Sequence, residues 1–172
     1  MFTIINEKNI ITGEPNIVQN LDLFPFVDRK IFQLDWLPWR YDPVIPMAII
    51  TGRGCPFRCY YCINSKIKKS IRYHGPERVV LEILNIIKEY SSLRSIAILD
   101  ELFILDKDRL SRIVDLIREE KVHKHLMFVC QSRADVLDDE ICKLLKDMNV
   151  KLITLGFESG VQRILNYLKD NI

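Results

Sequence analysis

Residues 95–133 read SIAILDELFILDKDRLSRIVDLIREEKVHKHLMFVCQSR, and this stretch decides the fold. Ser95–Leu99 is a short, mostly apolar run closed by Asp100 and Glu101, the length and texture of a buried strand. Asp106 is placed to cap a helix whose apolar stripe, Leu110, Ile113, Val114 and Ile117, recurs at helical spacing. Leu126–Cys130 is a second strand, ending in Gln131–Ser132–Arg133. A strand, an amphipathic helix and a strand imply parallel pairing through a right-handed crossover.

The same unit repeats on both sides. Upstream, Met47–Thr51 reads as a buried strand running into Gly52–Arg53–Gly54. Gly75–Pro76–Glu77 then opens a helix, with proline suited to the first turn and Val79, Val80, Ile83, Leu84 and Ile87 on one face. Downstream, Asp138 starts a helix with Ile141, Leu144, Leu145 and Met148 inward. Lys151–Leu155 is a fourth strand, ending in Gly156–Phe157–Glu158, and Val161, Ile164, Leu165 and Leu168 mark a fourth helix. Four consecutive strand–helix units give an α/β class with a parallel sheet. Each cluster of polar residues falls at a strand's C-terminal end, where βα-barrel enzymes place their chemistry.

Residues 1–45 read as an irregular lead-in, because Pro15, Pro25, Pro38 and Pro43 interrupt every element there. Phe24, Phe26, Phe32, Trp36, Trp39 and Tyr41 suggest a belt packed over the domain, with a binding segment as the alternative. The expected division is therefore a connector, 1–45, and a core, 46–172.

Of the 172 residues 48% are hydrophobic and 28% charged, which suits one globular domain. The net charge of +2 gives no basic field for nucleic acid and no acidic excess of the disordered kind. No apolar run is long enough to span a bilayer, and MFTIINEKNI lacks the pattern of a signal peptide. Five cysteines, three of them within eight residues, do not suit a secreted disulfide framework, so a reducing cytoplasm is expected.

Those three lie in Gly54–Cys55–Pro56–Phe57–Arg58–Cys59–Tyr60–Tyr61–Cys62, spaced C-x3-C-x2-C. Three thiolates on one tight loop can hold three irons of a 4Fe-4S cube and leave the fourth iron open. A structural zinc would need a fourth ligand, and His74 is the only nearby one. GRGCPFRCYYC after a strand resembles the motif of the radical S-adenosylmethionine (radical SAM) superfamily, including the aromatic Tyr61 before the last cysteine. Arg72–Ile83, Ile98–Phe103, Ser132–Asp135 and Leu155–Gln162 resemble, in order, that family's later motifs. The set is most similar to the branch of cobalamin-dependent radical enzymes and their methylthiotransferase relatives, and Leu21–Asp28 resembles the connector between that branch's two domains.

The resemblance, over roughly residues 20–170, implies a partial TIM-like (β/α) barrel. It implies an enzyme that cleaves S-adenosylmethionine reductively at a 4Fe-4S cluster to give a deoxyadenosyl radical. Cys55, Cys59 and Cys62 would be the metal ligands, with Tyr61 near the adenine. The implied partners are an unidentified small-molecule substrate and an electron donor such as flavodoxin or ferredoxin. Cobalamin would come through a domain whose aspartate–x–histidine–x–x–glycine segment does not occur here. Four units instead of the family's six lead us to expect part of a longer core. The alternatives are a cobalamin-linked methyl or methylthio transferase fragment and a non-catalytic cluster-binding remnant.

Three further residues at the same rim are candidate cofactor contacts. Asp100, beside Glu101 at a strand's C-terminal end, either takes a cofactor or substrate role or belongs to a solvated pair, and since both cannot be buried and charged side by side, one of the two faces solvent. Arg133 offers a guanidinium for the cofactor's carboxylate, or pairs with Asp135. Glu158 suits ribose hydroxyls, with Gly156 and Gly160 admitting close approach. Cys130 and Cys142 read as core thiols. The run Lys66, Lys68, Lys69 and Arg72 reads as a solvated loop, and His123 and His125 as favourable charges at a helix end.

Overall fold

The computed structural model describes residues 2–5, 8–11, 17–32, 46–66 and 70–169, so Trp36, Trp39, Tyr41, Lys68 and Lys69 lie outside the described residues. The lead-in is not wholly irregular. Phe2–Ile5 (β1) and Lys8–Ile11 (β2) pair antiparallel, two runs of apolar-rich residues too short for a helix.

Met47–Ile49 (β3), Gly52–Arg53 (β4), Arg72–Tyr73 (β5), Ser95–Ile98 (β6), Met127–Arg133 (β7) and Val150–Gly156 (β8) follow. The helices are Pro76–Glu89 (α1), Lys107–Glu119 (α2), Asp139–Asp147 (α3) and Gln162–Leu168 (α4). The four parallel strands stand in chain order, β3-β6-β7-β8, each beside the one made before it, as in a section of a βα barrel.

Register explains the layers. Met47, Ile96, Phe128 and Val150 form one row across the sheet, and Ile49, Ile98, Cys130 and Ile153 the next. Both rows are apolar and pack into the core under α1, α2 and α3, as alternation along a strand requires. Each helix contributes its stripe: Val79, Val80, Ile83 and Ile86; Leu110, Ile113, Val114 and Ile117; and Ile141, Leu145 and Met148. Burying each of these side chains stabilises the fold by about 1.5–3 kcal/mol. Asp106 and Asp138 cap α2 and α3 as expected, accepting from the backbone N–H groups of Arg109 and Ile141.

Two expectations need correction. Cys142 is exposed, because it lies 100° around the helix from Ile141 and so outside a stripe centred on Ile141, Leu145 and Met148. Nor does α4 cover the sheet. None of its residues is buried, with Ile164 39% exposed and Val161, just before the helix, 52% exposed, and a helix of two turns is too short to carry a wide stripe. It lies instead beside the cysteine loop, where Tyr60 N donates to Leu168 O at 2.8 Å and the rings of Tyr60 and Tyr167 sit 5.0 Å apart.

Residues 20–30 run along α1 in the direction of its axis. Asp22 accepts from Gly75 N at 3.2 Å and meets His74 Nδ1 at 2.8 Å, supplying an acidic group to a helix start that lacks a side-chain cap of its own. Arg78 lies 3.8 Å over the Phe26 ring, and Arg29 pairs with Glu82 at 2.7 Å.

Candidate functional site

The strand ends and the cysteine loop meet in one pocket of about 400 Å³. Its lining includes Cys55, Cys59, Tyr61 and Cys62 from the loop, and Glu101 and Leu102 after β6. Gln131, Ser132 and Arg133 of β7, Gly156 of β8, Glu158 and Lys169 complete the wall.

The loop is shaped by its backbone. Gly54 stands at φ +97°, and a Cβ there would meet Ser70 O at 2.5 Å, so glycine is required where the chain leaves β4. Cys62 N donates to Cys59 O at 3.1 Å, folding the second and third cysteines into a turn. Ser65 then ties the next turn back through its hydroxyl to Cys62 O at 2.7 Å. The Cys55 thiol is pushed up by burial first and by the neighbouring thiolates of Cys59 and Cys62, with Arg133 opposing.

Arg133 is buried, and its contacts are specific. Nε and Nη2 donate to the two oxygens of Asp135 at 2.9 and 2.8 Å, and Nη1 donates to Cys59 Sγ at 3.2 Å. The guanidinium also lies 3.7 Å from the centre of the Phe57 ring. Of the two accounts the sequence left open, the pairing with Asp135 is present. That pairing holds the Asp135 carboxyl below its ordinary value.

Glu158 and Tyr61 are brought together. Tyr61 Oη donates to Glu158 Oε1 at 2.9 Å, and Lys169 Nζ lies 3.8 Å from the same oxygen. Burial, and then the Glu158 carboxylate, push the Tyr61 hydroxyl above its ordinary range. Glu158 has φ 61°, an uncommon conformation for a residue with a side chain, and this turns it back over the rim. Gly156 makes room for it, since a Cβ there would lie 2.6 Å from Glu158 Oε1; Gly160 is open on all sides and plays no such part.

Asp100 is placed differently. It is buried beneath the rim, where Oδ1 accepts from Thr51 N and Oδ2 from Thr51 Oγ1, both at 2.5 Å. Arg109 reaches Thr51 O and Oγ1 from α2. Burial raises the Asp100 carboxyl, against the hydrogen bonds of Thr51 and the charge of Arg109. The cofactor role expected of Asp100 therefore gains no support from its position, and Glu101 is the member of the pair that lines the pocket. Cys130 lies in the core with its thiol pushed up to about 11 by burial.

The sequence reading missed Ser132 and Lys169. Ser132 Oγ is buried with no hydrogen-bond partner among the described residues. Lys169 is buried, and its Nζ donates to Gly156 O. Ser132 opens the Ser132–Asp135 motif, but alternation along β7 does not single it out as a contact, and Lys169 follows a weak helix that leaves no signal in the sequence.

Residues 49–171, well over half the chain, match the family model described as the radical SAM superfamily. The chain belongs to that superfamily. Among curated proteins, this radical SAM chain is 29% identical over 169 residues to an uncharacterized methyltransferase of Pyrococcus horikoshii, covering 96% of the chain and 36% of that protein. It is 29% identical over 156 residues to the hopanoid C-3 methylase of Methylococcus capsulatus, covering 87% of the chain and 28% of the methylase. It is 27% identical over 132 residues to the anaerobic magnesium-protoporphyrin IX monomethyl ester cyclase of Cereibacter sphaeroides, covering 75% and 22%. The chain thus spans little more than a third, or less, of the length of these relatives. No helix among the described residues is long and apolar enough to cross a membrane.

Proposed function

We propose that this chain holds a 4Fe-4S cluster on Cys55, Cys59 and Cys62 and S-adenosylmethionine in the adjoining pocket, as the radical-generating core of a methyltransferase-like enzyme. The observation that carries the reading is the placement of the C-x3-C-x2-C loop over the C-terminal rim of the parallel sheet, in one pocket with Glu101, Ser132, Arg133 and Glu158.

The residues fit such a group. Among the described residues no three Cys, His, Asp or Glu side chains converge on a point as the ligands of one ion do. Thiolates that each take a different iron of a cube need no such convergence. The buried, unpartnered Ser132 hydroxyl offers a donor and an acceptor to a bound molecule. Tyr61 and Lys169 both approach Oε1 of Glu158, which leaves Oε2 to accept from a ribose hydroxyl. Tyr61, 53% exposed, offers a ring face at the pocket mouth for adenine to stack on.

When bound, the cluster supplies the one-electron reduction that cleaves S-adenosylmethionine to methionine and a deoxyadenosyl radical. The chain's own share is to position the cofactor and exclude water from it. The names of the relatives favour methyl transfer as the reaction served. Within this reading cobalamin is the proposed methyl carrier, a flavodoxin or ferredoxin the proposed electron donor, and a small molecule in the cytoplasm the proposed substrate.

Anaerobic reconstitution tests the reading. About four irons per chain are expected, as one cube requires. Cys59→Ala should abolish the brown chromophore, whereas Cys130→Ala should keep it. S-adenosylmethionine should alter the paramagnetic resonance signal of the reduced cluster, less so in Glu158→Ala. An intact cluster in Cys59→Ala would overturn the assignment, and no spectral response in the unaltered protein would favour a cluster-binding remnant.

A further inference from the structure

We propose that Arg133 sets the reduction potential of the cluster through its hydrogen bond to Cys59, and is not the group that grips the cofactor's carboxylate. This rests on the cluster assignment above. A guanidinium has two edges that can hold a carboxylate with two parallel bonds: Asp135 occupies Nε with Nη2 at 2.9 and 2.8 Å, and the other edge shares its Nη1 with the cysteine loop. The remaining end, Nη1, is directed at Cys59 Sγ at 3.2 Å. Phe57, two residues before Cys59, stacks on the guanidinium plane at 3.7 Å. Arg133 is 8% exposed, so this arrangement is fixed by packing and little screened by water.

Reduction adds one electron, drawn from a low-potential donor, to a cluster and three thiolates already negative; no bond breaks and no proton moves. A cation that donates to one of those thiolates stabilises the reduced form more than the oxidised one. The potential therefore rises. Asp135 opposes this by placing a carboxylate against the same guanidinium. The two residues form a graded pair, with Arg133 raising the potential and Asp135 limiting the rise.

Two variants with opposite expected signs test the inference. Arg133→Met keeps length and packing and removes both charge and donor. In the reconstituted protein without S-adenosylmethionine, a dithionite titration followed by paramagnetic resonance should show its reduced-to-oxidised ratio about tenfold lower at a given potential, about 59 mV for one electron. Asp135→Asn should move the midpoint upward. Iron is counted in every sample. Should Arg133→Met lose its cluster, Asp135→Asn decides alone: an upward shift supports the inference and an unmoved midpoint overturns it. Unmoved midpoints in both variants with iron retained would overturn it and leave the cluster assignment standing. So would a shift seen only when S-adenosylmethionine is present. Iron missing from the unaltered protein would bring down both.

Discussion

Thr51 donates from its backbone N–H and from its hydroxyl to one buried carboxylate, Asp100, and accepts at Oγ1 from Arg109. Three elements meet there: the end of β3, the end of β6 and the start of α2. Asp100→Ala leaves two buried donors without acceptors, at about 1–3 kcal/mol each. Chemical denaturation should show that loss, while Glu101→Ala, on an exposed residue of the pocket wall, should stay within about 0.5 kcal/mol of the unaltered protein. An Asp100→Ala protein as stable as the parent would refute the structural role. At this scale the sequence was readable where chemistry fixes a spacing. Cys55, Cys59 and Cys62 stand out because three thiolates on one loop have few other uses. Asp100 beside Glu101 did not reveal which one turns inward, since that depends on Thr51, 49 residues away.

Helices were legible through their caps and stripes, and the misplacements have a common cause. Stripe membership is a matter of angle, so Cys142, adjacent in sequence to Ile141, still falls outside the buried arc. A two-turn helix such as α4 carries too little periodicity to show which neighbour it will choose. The end of α3 shows what a single residue adds. Asn149 adopts φ 70° just beyond the helix, and its Nδ2 donates to His123 O at 3.0 Å and Leu126 O at 2.7 Å. It thereby fastens α3 to the turn that leads into β7. Asn149→Ala should cost about 1–3 kcal/mol, from two hydrogen bonds at roughly 0.5–1.5 kcal/mol each. Asn149→Gly, which accepts the backbone angle without strain, should be the milder change by a smaller shift of the denaturation midpoint. Equal stability of the alanine variant and the parent would remove this account.

Across the whole molecule, the sheet's two faces differ. The row Ala48, Ala97, Val129 and Leu152 lies on the face away from the helices, with Leu152 57% exposed, and Leu99 on that face is 52% exposed. Among the described residues β8 has one neighbouring strand, β7. An apolar face and an edge with unpaired backbone groups favour association. Sedimentation of this chain should therefore show mass rising with concentration, and a monomer at every concentration would contradict that. The parallel order was legible because helix and strand periods alternate cleanly from Met47 onward. The open face was not, because one face of a short strand looks the same in sequence whether or not something covers it. The chain-order sheet bears finally on how the protein is made. At about 5–20 residues per second, the stretch from Ser95 to Met127 takes a few seconds to leave the ribosome, whereas helices and short loops form in microseconds or less. Each strand therefore emerges to find its neighbour already in place, and the sheet can lengthen one strand at a time during synthesis.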